Sequence, residues 1–323
     1  MSTRYAKILR YAFKLLGPAL LAYILWTIDL GVLLDRLVEV NVWLYVAALA
    51  LGLVTPVFKA LRWRAVVRAN GGVDLPVLRS YAYYLAGAFL GAVTPGRVGE
   101  LYKVSYLRDH GLSFGRSAAT VIVDRIFDVV APLVLGCLGL ALHPDVPGAD
   151  VGKVLALIAV AVAGMAAAYV MRRRLRAMVL RVIAKLSGQD RSDQIDQSLS
   201  DFFAGIRAVG PGVYAACVVL TLAAWAVYCG QREVIALAIG MDVDVVYFGV
   251  VFVVAALLSM LPISIVGIGT RDAALVYFLG RVGVAPEEAV TLSSLILLAM
   301  LFKTLVGCGA FLLVVRRAGE KEH

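Results

Sequence analysis

The sequence predicts an all-α polytopic membrane protein, with about six full transmembrane helices and two oppositely oriented re-entrant helical hairpins forming an inverted repeat. Three observations carry this expectation. Of 323 residues, 62% are hydrophobic and only 16% are charged, whereas a water-soluble domain needs about 25% charged residues to solvate its surface. The apolar residues arrive as long runs, the signature of spanning helices. Two of those runs are interrupted at their centres by Pro and Gly, with charged residues alongside.

The elements follow in order. Six segments are long enough to cross about 30 Å of hydrocarbon: 12–30, 42–60, 117–142, 151–171, 212–231 and 289–314. The first follows Arg4, Lys7, Arg10 and Lys14 and has no small-x-small cleavage site, so it reads as a retained helix rather than a removed signal. The interrupted segments are 78–110, broken at Thr94-Pro95-Gly96-Arg97-Val98-Gly99-Glu100, and 245–281, broken at Leu261-Pro262 through Gly269-Thr270-Arg271-Asp272. Between the fourth and fifth spans, 172–211 carries two apolar stripes, the second made of Ile195, Leu199, Phe202, Phe203 and Ile206. These read as amphipathic helices on the cytoplasmic leaflet or under the bundle. The whole chain, 1–323, reads as a single integral membrane domain.

Loop charge decides whether the interrupted segments cross or return. The chain has a net charge of +9, and its basic clusters flank the apolar runs where the positive-inside rule places them. Nucleic acid is therefore not the implied partner. If 78–110 crossed fully, the basic run at Arg172, Arg173, Arg174 and Arg176 would fall outside; if it enters and returns, that run is cytoplasmic. Both termini are then cytoplasmic in the cell (inner) membrane, and the two hairpins dip in from opposite faces. Glu100 and Asp272 lie 172 positions apart, as do Gly111 and Gly283. An inverted repeat with discontinuous helices is a common transporter plan.

A charge within a spanning helix costs about 2.5–3.5 kcal/mol even on the gentler insertion scale. Asp124 and Asp128 share one helix face at i and i+4, with Arg125 adjacent and Asp124 roughly 10 Å deep. Lys303 sits near the middle of the last span. Arg97 and Arg271 lie beside the hairpin tips, where a new half-helix offers unpaired N–H groups that suit a phosphate. Glu100 and Asp272 are read as caps that also hold an arginine in place. The candidate substrate-binding set is Arg97, Glu100, Lys103, Asp124, Arg125, Asp128, Arg271, Asp272 and Lys303. The same charges also fit internal salt bridges that lock the broken helices. Cys137, Cys217, Cys229 and Cys308 lie in apolar runs with no CxxC pair, and none of the three histidines has a metal-ligand neighbour at helical spacing. No metal or other cofactor is implied, and no Gly-rich Lys-Ser/Thr phosphate loop is present.

In Pro95-Gly96-Arg97-Val98-Gly99-Glu100, Thr120–Asp128, Leu261–Asp272 and Leu61-Arg62-Trp63, the chain resembles the lysylphosphatidylglycerol synthase transmembrane (flippase-like) domain family. That resemblance implies re-entrant helices and lipid movement between leaflets. The family's usual Glu after the second hairpin is Asp272 here, and no soluble transferase stretch follows, so the likeness is to stand-alone members. The expected function is a flippase or scramblase-like translocator of an anionic phospholipid, glycolipid or polyprenyl-phosphate-linked lipid. The expected site is a polar cavity between the hairpins. An intramembrane enzyme acting on a lipid-linked sugar or phosphate, or an accessory subunit of one, is the alternative. Expected partners are lipids with anionic headgroups, a glycosyltransferase or lipid-modifying enzyme, and a second copy of the chain, since Gly307-Cys308-Gly309 permits close helix packing.

Overall fold

A computed structural model describes residues 38–71, 73–94, 99–142, 189–260 and 269–319. Everything described is helix, turn or loop, with no strand among the described residues. The helices are α1 (Val42–Ala69), α2 (Val77–Val93), α3 (Tyr102–Asp109), α4 (Phe114–Leu142), α5 (Gln189–Ala208), α6 (Pro211–Ala238), α7 (Val245–Met260), α8 (Thr270–Gly280) and α9 (Pro286–Gly319). Three are long and apolar enough to cross a membrane: α1, α6 and α9 over Pro286–Val314. They correspond to three of the six expected spans. The expected span 117–142 lies within α4, which has the length at 29 residues but carries several charges. Spans 12–30 and 151–171 lie outside the described residues, as does 172–188 of the amphipathic stretch.

The element order repeats. Helices α1 to α4 have 28, 17, 8 and 29 residues, and α6 to α9 have 28, 16, 11 and 34. Each set is a long helix, two short ones and a long one. The turns that follow α3 and α8 match in detail. Leu107 O accepts the N–H of Leu112 and Leu279 O accepts that of Val284, which are again pairs 172 positions apart. Gly111 and Gly283 take φ of 88° and 85°, the left-handed region that favours glycine after a helix. Leu107 and Leu279 are both fully buried beneath their turns.

The chain divides into two compact units. Unit 1 comprises 1–56, 131–147 and 223–306, and so contains α7 and α8; unit 2 comprises 57–130, 148–222 and 307–323, and so contains α2, α3 and α5. In unit 1, α7 packs along α8, and Phe248 and Phe252 meet edge to face at 4.6 Å. Tyr247 donates its hydroxyl to Phe278 O at 2.7 Å and Tyr45 donates to Leu295 O at 2.8 Å. Gly136 and Gly139 let α4 approach Val253 and Val250. In unit 2, Ala60, Trp63, Val67, Leu75, Tyr84, Tyr106, Leu107 and Leu112 form one core. Val66, Val123, Val209 and Cys217 form another. Helix α5 lies against α4 and the end of α1: Gly115 meets Ser198 and Asp201, and Gly205 meets Asn70 and Ala119.

Helix α4 shows which solvent the fold is built for. Ile122, Ile126 and Val129 form an exposed stripe at i, i+4 and i+7, while Asp124 and Asp128 are buried on another face. That is the reverse of a water-soluble amphipathic helix, whose apolar stripe faces the core, and it fits a bundle whose outside is lipid.

Between α2 and α3, Thr94 Oγ1 donates to Leu90 O at 2.6 Å and accepts the N–H of Gly99 at 2.8 Å. Gly91 leaves room for Glu100, whose Cγ lies 2.7 Å from where a Cβ would stand. At Gly99 a Cβ would collide with the Leu90 carbonyl. Two substitutions separate crowding from backbone strain. At Gly283 the space is open, so Gly283→Ala costs only the left-handed strain of about 1–2 kcal/mol. Gly99→Ala carries no left-handed strain but must displace backbone, and is expected to lower Tm further. Thermal unfolding in detergent checks the ranking, and a Gly99→Ala chain as stable as wild type contradicts this packing.

Candidate functional site

The densest charge in the described structure lies within unit 2, and Arg62 is its centre. Helix α1 continues nine residues past the expected end of its span at 60, to Ala69, so Arg62 is a helical residue with no exposed surface. Its Nε donates to Asp124 Oδ1 at 2.8 Å, and its Nη1 donates to Thr221 Oγ1 at 2.9 Å. Its Nη2 donates to Asp128 Oδ1 at 2.7 Å and Asp124 O at 3.1 Å. All three nitrogens are therefore occupied, by two residues of α4 and one of α6. The i, i+4 spacing of Asp124 and Asp128 is what lets one guanidinium hold both carboxylates.

Two lysines and a second ion pair surround this centre. Lys59, one turn before Arg62, donates to Asp128 Oδ1 at 3.0 Å. Lys103 on α3 is buried, with Nζ 3.5 Å from Asp124 Oδ2. Its ammonium also lies 3.8 Å from the Tyr84 ring centroid and 5.4 Å from that of Trp63, so aromatic faces share its charge. Gly87 opens the space its stem fills. Arg125 forms an ion pair with Glu100 and reaches Asp128 Oδ2 at 3.8 Å. Four cations face three carboxylates, leaving one positive charge in excess. The side chains of Lys59 and Arg125 are each 26% exposed, while the carboxylates are essentially buried. The accessible charge of the cluster is thus positive.

Unit 1 treats its charges differently. Arg271 and Asp272 stand at the start of α8. Asp272 Oδ2 accepts the N–H of Gly269 at 2.9 Å, a side chain reaching back to cap the helix start. Its Oδ1 accepts Arg271 Nε at 3.0 Å and Nη2 at 2.7 Å, and also accepts the Ser293 hydroxyl. Arg271 Nη2 further donates to Ser293 O at 3.2 Å and Oγ at 3.0 Å, and Nη1 lies 3.3 Å from Met300 Sδ. This neutral pair pins α8 to α9, with every Arg271 nitrogen engaged.

Of the nine residues proposed from sequence, the structure brings Glu100, Lys103, Asp124, Arg125 and Asp128 into one cluster in unit 2. It places Arg271 and Asp272 together in unit 1. Lys303 is half-buried on α9, and Arg97 lies outside the described residues. The sequence pattern gives no site role to Lys59, Thr221 or Ser293, and marks Arg62 only within the family-like Leu61-Arg62-Trp63. Hydropathy places Lys59 and Arg62 at the basic end of a span, because it ends a span where charge begins even when the helix continues. Their i, i+3 spacing onto the face of Trp63 and Val66 was the available signal.

Apolar helices with outward aliphatic stripes and inward charge define a helical membrane protein that holds an ion cluster inside its bundle. The chain belongs to the family described as lysylphosphatidylglycerol synthase TM region, whose family model matches residues 14–307; the resemblance read from its motifs is borne out. It is also similar to a UPF0104 membrane protein of Methanothermobacter thermautotrophicus, 24% identical over 289 residues, covering 84% of this chain and 85% of the relative. No solved structure matches the chain.

The cluster makes a sharp energetic prediction. Breaking a buried ion pair from one side leaves an uncompensated charge and costs about 3–5 kcal/mol. Arg62→Gln strands Asp124 and Asp128 and is expected to lower Tm and the yield of folded protein strongly. Adding Asp124→Asn and Asp128→Asn removes the stranded charges and is expected to restore part of the loss. A triple variant no more stable than Arg62→Gln shows that the three residues are not coupled.

Proposed function

We propose that the protein is a lipid translocator, of flippase or scramblase type, that moves an anionic phospholipid, glycolipid or polyprenyl-phosphate-linked lipid between leaflets. The observation that carries this reading is the unit 2 cluster: one positive charge in excess, with Lys59 and Arg125 as its accessible members. A headgroup phosphate would take Arg125 and Lys59 as ligands while the acyl chains stay in the bilayer. Glu100 is then the residue that a phosphate replaces at Arg125. Arg97, three positions before Glu100, belongs to the same stretch. Arg271, with all its nitrogens engaged inside the protein, serves as a strut rather than a ligand. Family membership supports a lipid-related role.

The short helices support re-entrance. Helices α3 and α8, with 8 and 11 residues, are only about 12 and 17 Å long. Hydrocarbon is about 30 Å thick, so neither crosses alone. In this reading α2–α3 and α7–α8 are oppositely oriented hairpins, and the repeated element order is an inverted repeat.

Reconstitution into liposomes containing a fluorescent phosphatidylglycerol tests the reading. Leaflet exchange without chemical change to the lipid is expected, and Arg125→Ala or Lys59→Ala should slow it about tenfold, the effect of losing one charged hydrogen bond of about 1.5 kcal/mol. Exchange untouched by both substitutions removes the proposed headgroup site. A modified lipid in the product points instead to an enzyme.

A further inference from the structure

Arg232 is one of four buried cations among the described residues, and of these it alone has no described carboxylate as a partner. Among the described residues, Arg62, Lys103 and Arg271 each lie within 3.5 Å of an aspartate oxygen. Arg232, in unit 1 and only 3% exposed, has no such partner among the described residues. Its Nη1 donates to Gln231 Oε1 at 2.8 Å, and Gln231 in turn donates Nε2 to Ala48 O at 3.0 Å. Its guanidinium carbon lies 4.4 Å from the centroid of the Tyr228 ring. Its Nε is buried with no acceptor among the described residues. The neighbouring Glu233 sits close to Asp242 and Asp244, and no ion pair joins any of the three to Arg232.

The free edge has a chemistry. Nε–H and the adjacent Nη2–H form the parallel fork with which arginine grips an oxyanion in two hydrogen bonds. Gln231 holds the opposite corner and Tyr228 covers one face, so the fork is fixed in direction. Position narrows the ligand. Helix α6 has 28 residues, about 42 Å, which matches a bilayer with its headgroups at about 40–45 Å. Arg232 stands six residues from its end, about 9 Å in, at the base of a headgroup layer. Half-buried Tyr228 and Trp225 meet edge to face at 5.0 Å on the preceding turn, giving an amphipathic aromatic approach of the kind favoured at that depth.

We propose that Arg232, with Gln231 and Tyr228, forms an anion site in unit 1 that binds a phosphate-class oxyanion, carried by a lipid headgroup or arriving as free phosphate. This site stands apart from the transport reading, because it rests on residues that the unit 2 cluster does not include.

The test is thermal stabilisation of the full chain in a neutral maltoside detergent, titrated with dihexanoylphosphatidylglycerol, dihexanoylglycerol or inorganic phosphate. The phosphate-bearing lipid is expected to raise Tm saturably, and dihexanoylglycerol is expected to have no effect. Inorganic phosphate that matches the lipid at equal concentration identifies free phosphate as the ligand; a response to the lipid alone identifies a headgroup. Arg232→Lys keeps the charge but loses the fork, and should weaken binding at least tenfold; Arg232→Gln should abolish it. If Arg232→Gln does not fold, Arg232→Lys decides, and wild-type affinity in that variant overturns the site. A response that survives at Arg232 and disappears with Arg125→Ala overturns it as well. Binding through Arg232 in a chain that exchanges no lipid upholds this site and sinks the transport reading. Exchange with no binding at Arg232 does the reverse.

Discussion

Arg62 carries its charge where water cannot reach it, and that burial constrains everything around it in unit 2. Taking an ion out of water costs several kcal/mol unless its hydrogen-bonding positions are filled in good geometry. Arg62 meets that condition with Asp124, Asp128 and Thr221, which fixes α1, α4 and α6 at Thr221 to within hydrogen-bond tolerance of one another. Lys103 then joins through the second oxygen of Asp124. Glu100 joins through Arg125. Charge thus holds Glu100 and, at the start of α3, Lys103, with glycines 87 and 91 giving the room. The apolar packing of Trp63 and Tyr84 against this centre shields it and lowers the local dielectric, so each pair counts for more than it would at a surface.

The two repeats keep one frame and fill it with different chemistry. Both have a left-handed glycine after the short second helix, a fully buried leucine under that turn, and a long helix starting three residues later, at Phe114 and at Pro286. In unit 2, the acidic residue before this turn belongs to a network that reaches partly exposed cations. In unit 1, its counterpart belongs to a closed, neutral pair. The frame is a matter of backbone, set by where a helix can stop and restart. Charge placement is free to diverge on top of it.

That division also explains what the sequence made legible. Hydropathy found α1, α6 and α9, and the offset of 172 found the repeat, because both depend on local properties of the chain. The acidic pair on α4 stood out because its spacing is local too. Arg62 did not. Its role depends on which residues meet it from α4 and α6, more than sixty positions away. A hydropathy window ends at the first cluster of charge and hands such residues to the loop. The link from Arg271 to Ser293 was hidden for the related reason that Ser293 lies on another helix. Pairing between helices is the information that one-dimensional patterns lack.

Helix α4 faces two solvents. One side, through Ile122, Ile126 and Val129, is matched to hydrocarbon; the other, through Asp124 and Asp128, is matched to guanidinium and ammonium groups. A turn of one residue, about 100°, would bring carboxylates towards lipid and aliphatic groups onto Arg62, losing on both sides at once. The helix is therefore fixed in rotation, and Glu100 is tied to it through Arg125, whose side chain is 26% exposed.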